Sequence, residues 1–229
     1  MSKQSDWSDD AMWAAYNDFH YLCDTHRFQK LFTRAELIRL IANVPGDIVD
    51  AGAFKGASTL QFAHALQAYQ PNSRTRVLSF DTFEGVFPNP RADEADAAEH
   101  HMDAYEKSAY DRLADAIARN GLEQRVELHR GDITETLPAL LNERPGLRIS
   151  LLHCDLDVHD ATLATLQTAW PRLVPGGIAV FDEYAVDAWG ESDAVDAFFA
   201  TLEDPPQLRM LPVSPTPTAY CVKQPSKAA

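Results

Sequence analysis

Apolar and polar positions follow two rhythms along the chain. Short apolar runs occur at Ile48-Val49, Arg76–Phe80, Arg125–His129, Arg148–Cys154 and Ile178–Phe181, with two later ones at Leu208–Val213 and Ala219–Lys223. Runs of this length, bounded by glycine, proline or acid, predict strands. Between them apolar residues recur at helical spacing, over 8–44 in two pieces, then 60–69, 112–120, 136–141, 162–173 and 193–202. The run Arg148–Cys154 is nearly all apolar, as a central parallel strand buried on both faces should be. Strand–helix alternation predicts an α/β fold: a mostly parallel, seven-stranded sheet, right-handed crossovers and helices on both faces. Thr33 followed by Glu36 reads as a capping box opening a helix that Pro45-Gly46 ends. Gly121 fits a helix C-cap, and Val174–Gly177 a turn.

Length makes one domain the simplest organisation for 229 residues. Within 1–229, residues 1–45 form a helical extension before the first strand, expected to pack, to cover a ligand or to pair with a second copy in a homo-oligomer. Residues 86–110, a long insertion after a strand end, are a candidate lid, and 224–229 read as a disordered tail. The formal net charge of −14 disfavours nucleic acid and anionic membrane surfaces as partners. It suits a neutral or cationic substrate, or a bound divalent cation. Cys23, Cys154 and Cys221 are widely spaced and give neither a disulfide framework nor a zinc pattern. The polar N-terminus lacks the apolar core of a leader, and no apolar run reaches membrane-spanning length. A cytoplasmic protein is expected.

The chemistry concentrates where strands end. The segment Gly46–Leu60 reads as strand, glycine turn and helix, with Asp50 where a phosphate-binding G-x-G-x-x-G loop would carry its first glycine. That argues for a ligand without pyrophosphate, such as S-adenosylmethionine (SAM). Asp81 closes the second strand, where a ribose diol is usually held. Gly131-Asp132 follows the third and can meet an adenine. Asp155-Leu156-Asp157 ends the fourth, and Asp182-Glu183-Tyr184 the fifth. Acids gathered on one sheet edge repel one another unless something cationic sits among them. His100-His101, in the insertion, reads as part of a solvated face, with metal binding as the alternative.

The stretches Gly46–Ser58, Phe80–Gly85, Gly131-Asp132 with Thr136-Leu-Pro138, Asp155–Asp157 with Thr162, Leu173–Gly177 and Asp182–Tyr184 together resemble class I SAM-dependent methyltransferases. More narrowly they resemble the macrocin O-methyltransferase family, over about residues 34–223. The resemblance implies a Rossmann-like methyltransferase fold and an O-methyltransferase acting on a hydroxylated small molecule, a sugar or a natural-product intermediate. It implies SAM held by the turn Asp50, Ala51, Gly52, Ala53, Phe54, Gly56, Ser58 and Thr59, by Asp81, Thr82 and Phe83, by Gly131, Asp132 and Ile133, and by Asp155. It further implies magnesium on Asp155, Asp182 and Glu183; Asp155 and Asp182 stand 27 residues apart, the separation expected in that family. The chain departs from the family pattern at Leu156, His159 and Glu183, where glycine, tyrosine and aspartate are usual. Hence Asp155 or His159 as a base without metal is the second enzymatic reading. Asp157 reads instead as a cap of the next helix. A nucleotide- or NAD-binding protein, disfavoured by Asp50, and a non-catalytic SAM-fold protein are the readings outside this class.

Overall fold

The computed structural model describes residues 10–102 and 109–225. Six strands build one sheet: β1 (Asp47–Ala51), β2 (Val77–Asp81), β3 (Val126–Arg130), β4 (Ile149–Cys154), β5 (Leu173–Phe181) and β6 (Ala219–Val222). Their order is β3-β2-β1-β4-β5-β6, parallel throughout except for the pairing of β5 with β6. The helices are α1 (Asp10–Leu22), α2 (Thr25–Leu40), α3 (Ala57–Tyr69), α4 (Ala95–Met102), α5 (Ala109–Arg119), α6 (Ile133–Glu143), α7 (His159–Ala169) and α8 (Glu191–Phe199). Connections run outward in opposite directions from β1 and β4. Between those two strands the sheet offers a crevice at its carboxyl edge.

Period-2 alternation sorts the core into two layers. Ile48, Leu151, Ile178 and Val180 pack with Leu37 and Ile38 of α2, Phe62 and Leu66 of α3 and Leu113 of α5. Val49, Ala51, Leu78, Phe80, Leu152 and Phe181 pack with Leu137 of α6, Leu166 of α7 and Val195 of α8. Both faces are covered, which is why the central strands read as continuous apolar runs. The extension splits in character. α2 is tied to the sheet through Leu37 and Ile38, whereas α1 buries no residue. Cys154 and Cys221 are buried free thiols.

Four expectations need correction. The strand at Leu208–Val213 shrinks to one bridge between Arg209 and Tyr220, leaving six strands among the described residues. Pro205, Pro206, Pro212, Pro215 and Pro217 surround it, and proline cannot donate to a ladder. Thr33 opens no helix: it is buried within α2, whose cap is Asp24, accepting from the Arg27 amide at 3.1 Å. Val174–Gly177 does not precede a strand but lies within β5, bulging out between the pairs Ile149–Leu173 and Leu151–Ile178. α7 begins at His159, not at Thr162. The expected tail falls mostly on residues 226–229, outside the described residues, as do positions 103–108 of the insertion.

Candidate active site

Because β1 to β5 are parallel, their carboxyl ends share one edge, and a cavity of ≈ 300 Å³ opens there. Gly52, Asp81, Gly131-Asp132, Asp155 and Asp182-Glu183 contribute to its wall, one group from each strand end. Three further elements close it. Arg27 and Lys30 come from α2, Val86 to Pro88 with His101 from the insertion, and Trp189 from the loop before α8. His101 sits among aromatic rings, its centroid 5.2 Å from Phe54, 5.7 Å from Phe87 and 5.8 Å from Trp189. It is therefore a wall of the cavity and not part of a solvated face. Burial, then the nearby Lys55 ammonium, lowers its pKa.

Asp81 is held from both sides. Its carboxylate accepts the Phe54 amide at 2.8 Å and the Phe83 amide at 2.7 Å. Both phenylalanines adopt positive φ, 51° and 52°, a conformation uncommon for a bulky side chain and one that costs energy. This strain aims two backbone donors at one acid, and Asp81 lines the cavity. Asp132 also lines the cavity, while its side chain caps α6 by accepting from the Thr134 amide at 2.8 Å.

Asp50 lies behind the cavity wall. It is fully buried and accepts from Ser58 Oγ at 2.9 Å, Thr59 Oγ1 at 2.6 Å and His153 Nδ1 at 2.9 Å. The β1–β4 register pairs Asp50 with His153, so the contact follows from strand alignment. On its other side His153 Nε2 lies 3.8 Å from Asp182 Oδ1. A buried polar line thus crosses the sheet from Asp50 through His153 to Asp182. It continues into α2, where Lys30 Nζ meets Asp182 Oδ2 at 2.8 Å and Arg34 Nη2 lies 3.9 Å from Asp182 Oδ1. Arg34 Nη2 also stands 3.8 Å from Asp155.

These neighbours set the acids apart. Burial opposes the charge on Asp182, but His153, Lys30 and Arg34 outweigh it and hold the carboxyl well below its usual range. Asp155 has the opposite balance: burial, then the Asp182 charge, pushes it up to about 7. Burial and the neighbouring carboxylates push Asp157 well up, and burial followed by Asp182 raises Glu183. Burial works against the imidazolium of His153, yet Asp182 and Asp50 on either side lift its pKa to about 9.

His153 therefore binds a proton more tightly folded than unfolded. Its stabilising share is complete below its ordinary 6.5 and disappears as pH rises through about 9. The shift corresponds to about 3 kcal/mol. We expect the urea midpoint to fall over that window while one histidine ring titrates near 9 by NMR. A ring titrating near neutrality, with a flat midpoint, would show that His153 is not the charged link.

His159, expected as a base, is placed elsewhere. It does not line the cavity, and both ring nitrogens are engaged. Arg91 Nη2 lies 2.7 Å from Nε2, and Nδ1 lies 2.7 Å from Asp160 Oδ1. A guanidinium only donates, so Nε2 accepts and Nδ1 carries the hydrogen. The backbone amide of His159 donates to Glu94 Oε1 at 2.7 Å, which puts an insertion carboxylate at the amino end of α7, where the dipole favours it. Glu94 takes the capping role offered to Asp157, which instead lines the cavity with φ 62°. His159 and Glu94 anchor the insertion to α7.

Of the remaining expected residues, Phe54, Thr82 and Ile133 line the cavity. Ala51, Ala53 and Phe83 pack in the core, Gly56 caps α3 in a left-handed conformation, and Ser58 and Thr59 serve Asp50. Sequence reading missed Arg27, Lys30, Arg34 and His153. His153 left a signal, one polar residue inside an apolar strand; the basic residues of α2 show only helical spacing, which does not say what they face.

The family model described as macrocin-O-methyltransferase (TylF) matches residues 13–203. An 8-demethyl-8-(2,3-dimethoxy-alpha-L-rhamnosyl)-tetracenomycin-C 4'-O-methyltransferase from Streptomyces olivaceus is 32% identical over 155 residues, covering 65% of this chain and 57% of that protein. The mycinamicin III 3''-O-methyltransferase of Micromonospora griseorubida is 32% identical over 161 residues, covering 65% of this chain and 59% of that protein. The matches thus span less than two thirds of these relatives. Among solved structures, a calicheamicin methyltransferase superposes with a TM-score of 0.74 at 28% identity, over 94% of this chain and 86% of that one.

Proposed function

The chain belongs to the macrocin O-methyltransferase family, and from that premise we propose that it transfers a methyl group from SAM to a hydroxyl of a small molecule, a sugar or a natural-product intermediate. One observation carries the reading: a single cavity joins Asp81 on one side to Asp155, Asp182 and Glu183 on the other. That arrangement suits a nucleoside at one end and a hydroxyl to be deprotonated at the other. The names of the relatives, a rhamnosyl tetracenomycin 4'-O-methyltransferase and a mycinamicin III 3''-O-methyltransferase, support a glycosylated or sugar-like acceptor. The ring-lined wall of Phe87, His101 and Trp189 offers faces on which a sugar can lie.

In this reading the free lone pairs of Asp81 accept from the ribose hydroxyls, and Gly131 to Ile133 border the adenine. SAM supplies a methyl on a cationic sulfonium, which the acid-rich edge favours. Asp155, with its pKa about 7, is near half-ionised at neutral pH and takes the acceptor proton as the oxygen–methyl bond forms. Magnesium fits the same edge. Its preferred ligands are hard oxygens; Asp155 and Asp182 offer oxygens within 4.8 Å of one another, Glu183 lines the same cavity, and Asp182 Oδ1 is buried and without a hydrogen bond. A metal bound to these three would lower the pKa of the acceptor hydroxyl and fix its orientation. The contact of Lys30 with Asp182 favours a second version, in which Asp155 acts as base without metal; turnover unchanged by excess EDTA would select it. His159 is occupied elsewhere and has no part in either.

No helix among the described residues is long and apolar enough to cross a membrane. Calorimetry with SAM, S-adenosylhomocysteine and NAD tests the reading. SAM and its product should bind with micromolar affinity and NAD should not. NAD binding without SAM binding would reject a methyltransferase.

A further inference from the structure

We infer that Lys30 is a resident counter-ion of the metal site, which a divalent cation must displace from Asp182 in order to bind. The inference rests on the magnesium version of the reading above and concerns this chain's own residues. Lys30 Nζ is 2.8 Å from Asp182 Oδ2, in the same carboxylate whose Oδ1 is buried without a hydrogen-bond partner. Lys30 and the acids Asp155, Asp182 and Glu183 all line one cavity. An ammonium in direct contact with a ligand carboxylate repels a dication bound to it. It also uses lone pairs that the dication needs.

The other cations near Asp182 cannot yield in the same way. His153 is fully buried and fixed to Asp50 at 2.9 Å. Arg34 is buried and donates to Gln61 at 2.8 Å. Lys30 is different: its side chain is 16% exposed at the cavity margin, and among the described residues its hydrogen bond goes to Asp182. Its four-carbon stem carries a compact charge that can swing into water. The chain thus keeps Asp182 paired without metal, and Lys30 is the cation placed to leave. Because Lys30 belongs to α2, its release also loosens the edge of the helix that covers the cavity. Metal occupancy and the position of α2 are then coupled reciprocally.

The test is direct binding of Mn2+ alone, by electron paramagnetic resonance and calorimetry, to the full chain and to Lys30→Met and Lys30→Arg. Removing the ammonium should tighten Mn2+ roughly tenfold, within the range usual for linked sites, and Lys30→Arg should not. Equal affinity in Lys30→Met and the unaltered protein overturns the inference while leaving the metal reading intact. No binding to any of them overturns both. A second measurement needs no variant: acetylation of Lys30 by acetic anhydride, followed by mass spectrometry. Mn2+ should speed it severalfold by freeing the amine, and an unchanged rate counts against displacement.

Discussion

Asp182→Asn is expected to lower turnover by about 10²–10⁴-fold, the range lost when a group serving proton transfer is disabled, while SAM affinity stays within about twofold. The expectation follows from where the side chain stands. Asp182 touches no residue of the proposed nucleoside end. Its partners are Lys30 at 2.8 Å, His153 at 3.8 Å and Arg34 at 3.9 Å. Asparagine keeps the shape and removes the charge. Three cations then lose the anion they share, and the metal site loses its most strongly ionised ligand. Asp155 also changes, because the Asp182 charge is one of the causes that raise it. Without that charge its pKa falls, so whatever activity remains should keep its level to lower pH than in the unaltered enzyme. Kinetics over pH, together with SAM calorimetry, separate this from general damage. A variant with undiminished turnover would remove Asp182 from the chemistry. Equal losses of SAM binding and turnover would place it at the nucleoside end.

The fold was legible because its signals are local and repeated. Each of β1 to β5 is announced by an apolar run that stops at an acid or at glycine plus acid, and a parallel sheet brings those stops to one edge. Asp81, Asp132, Asp155, Asp182 and Glu183 were found that way, and all line the cavity. Asp50 shows the limit of the rule. It ends a strand too, but its side chain points back under α3, where Ser58, Thr59 and His153 satisfy it. The spacing that suggested a ligand wall equally suits a buried knot holding β1, α3 and β4 together. Lys30 and Arg34 were illegible for another reason. Their meaning depends on how α2 lies across the sheet edge, which no local pattern in 25–40 encodes. Pro205, Pro206 and Pro212 lie beside or within Leu208–Val213, and the donors they lack outweigh the apolar content that suggests a strand there.

The acids are also less uniform than their shared position implies. His153 fixes the charge of Asp182, and burial together with that charge pushes Asp155 up to about 7, so one edge holds a permanent anion beside a titratable one. Pairs whose environments push their pKa values apart are how a site assigns distinct roles to like groups. Here the separating agent is a histidine that never reaches the cavity.

Gly52→Ala should be severely damaging. Gly52 has φ +91°, and a Cβ there would lie 1.7 Å from the Asp155 carbonyl oxygen and 2.6 Å from its carbonyl carbon. Neither neighbour can move freely. The Asp155 amide donates to the Ala51 carbonyl at 2.9 Å, and the Gly52 amide to the Phe80 carbonyl at 2.9 Å. A methyl group must therefore push β1 and β4 apart at the point where the proposed base emerges. The cost belongs with backbone strain and overpacking combined, about 4 kcal/mol or more. For a domain of this size that is a melting-temperature loss of roughly 8–16 °C, and Asp155 is displaced with it. Gly121→Ala is the control. Gly121 has φ +65° but nothing within 4 Å of its added Cβ, so alanine there carries only the left-handed penalty of about 1–2 kcal/mol. Thermal melts of both variants, with turnover of the soluble fraction, decide the matter. Comparable losses at the two glycines would mean that conformation alone is at stake. A much larger loss at Gly52, with turnover falling further than the melt accounts for, ties that glycine to the placement of Asp155.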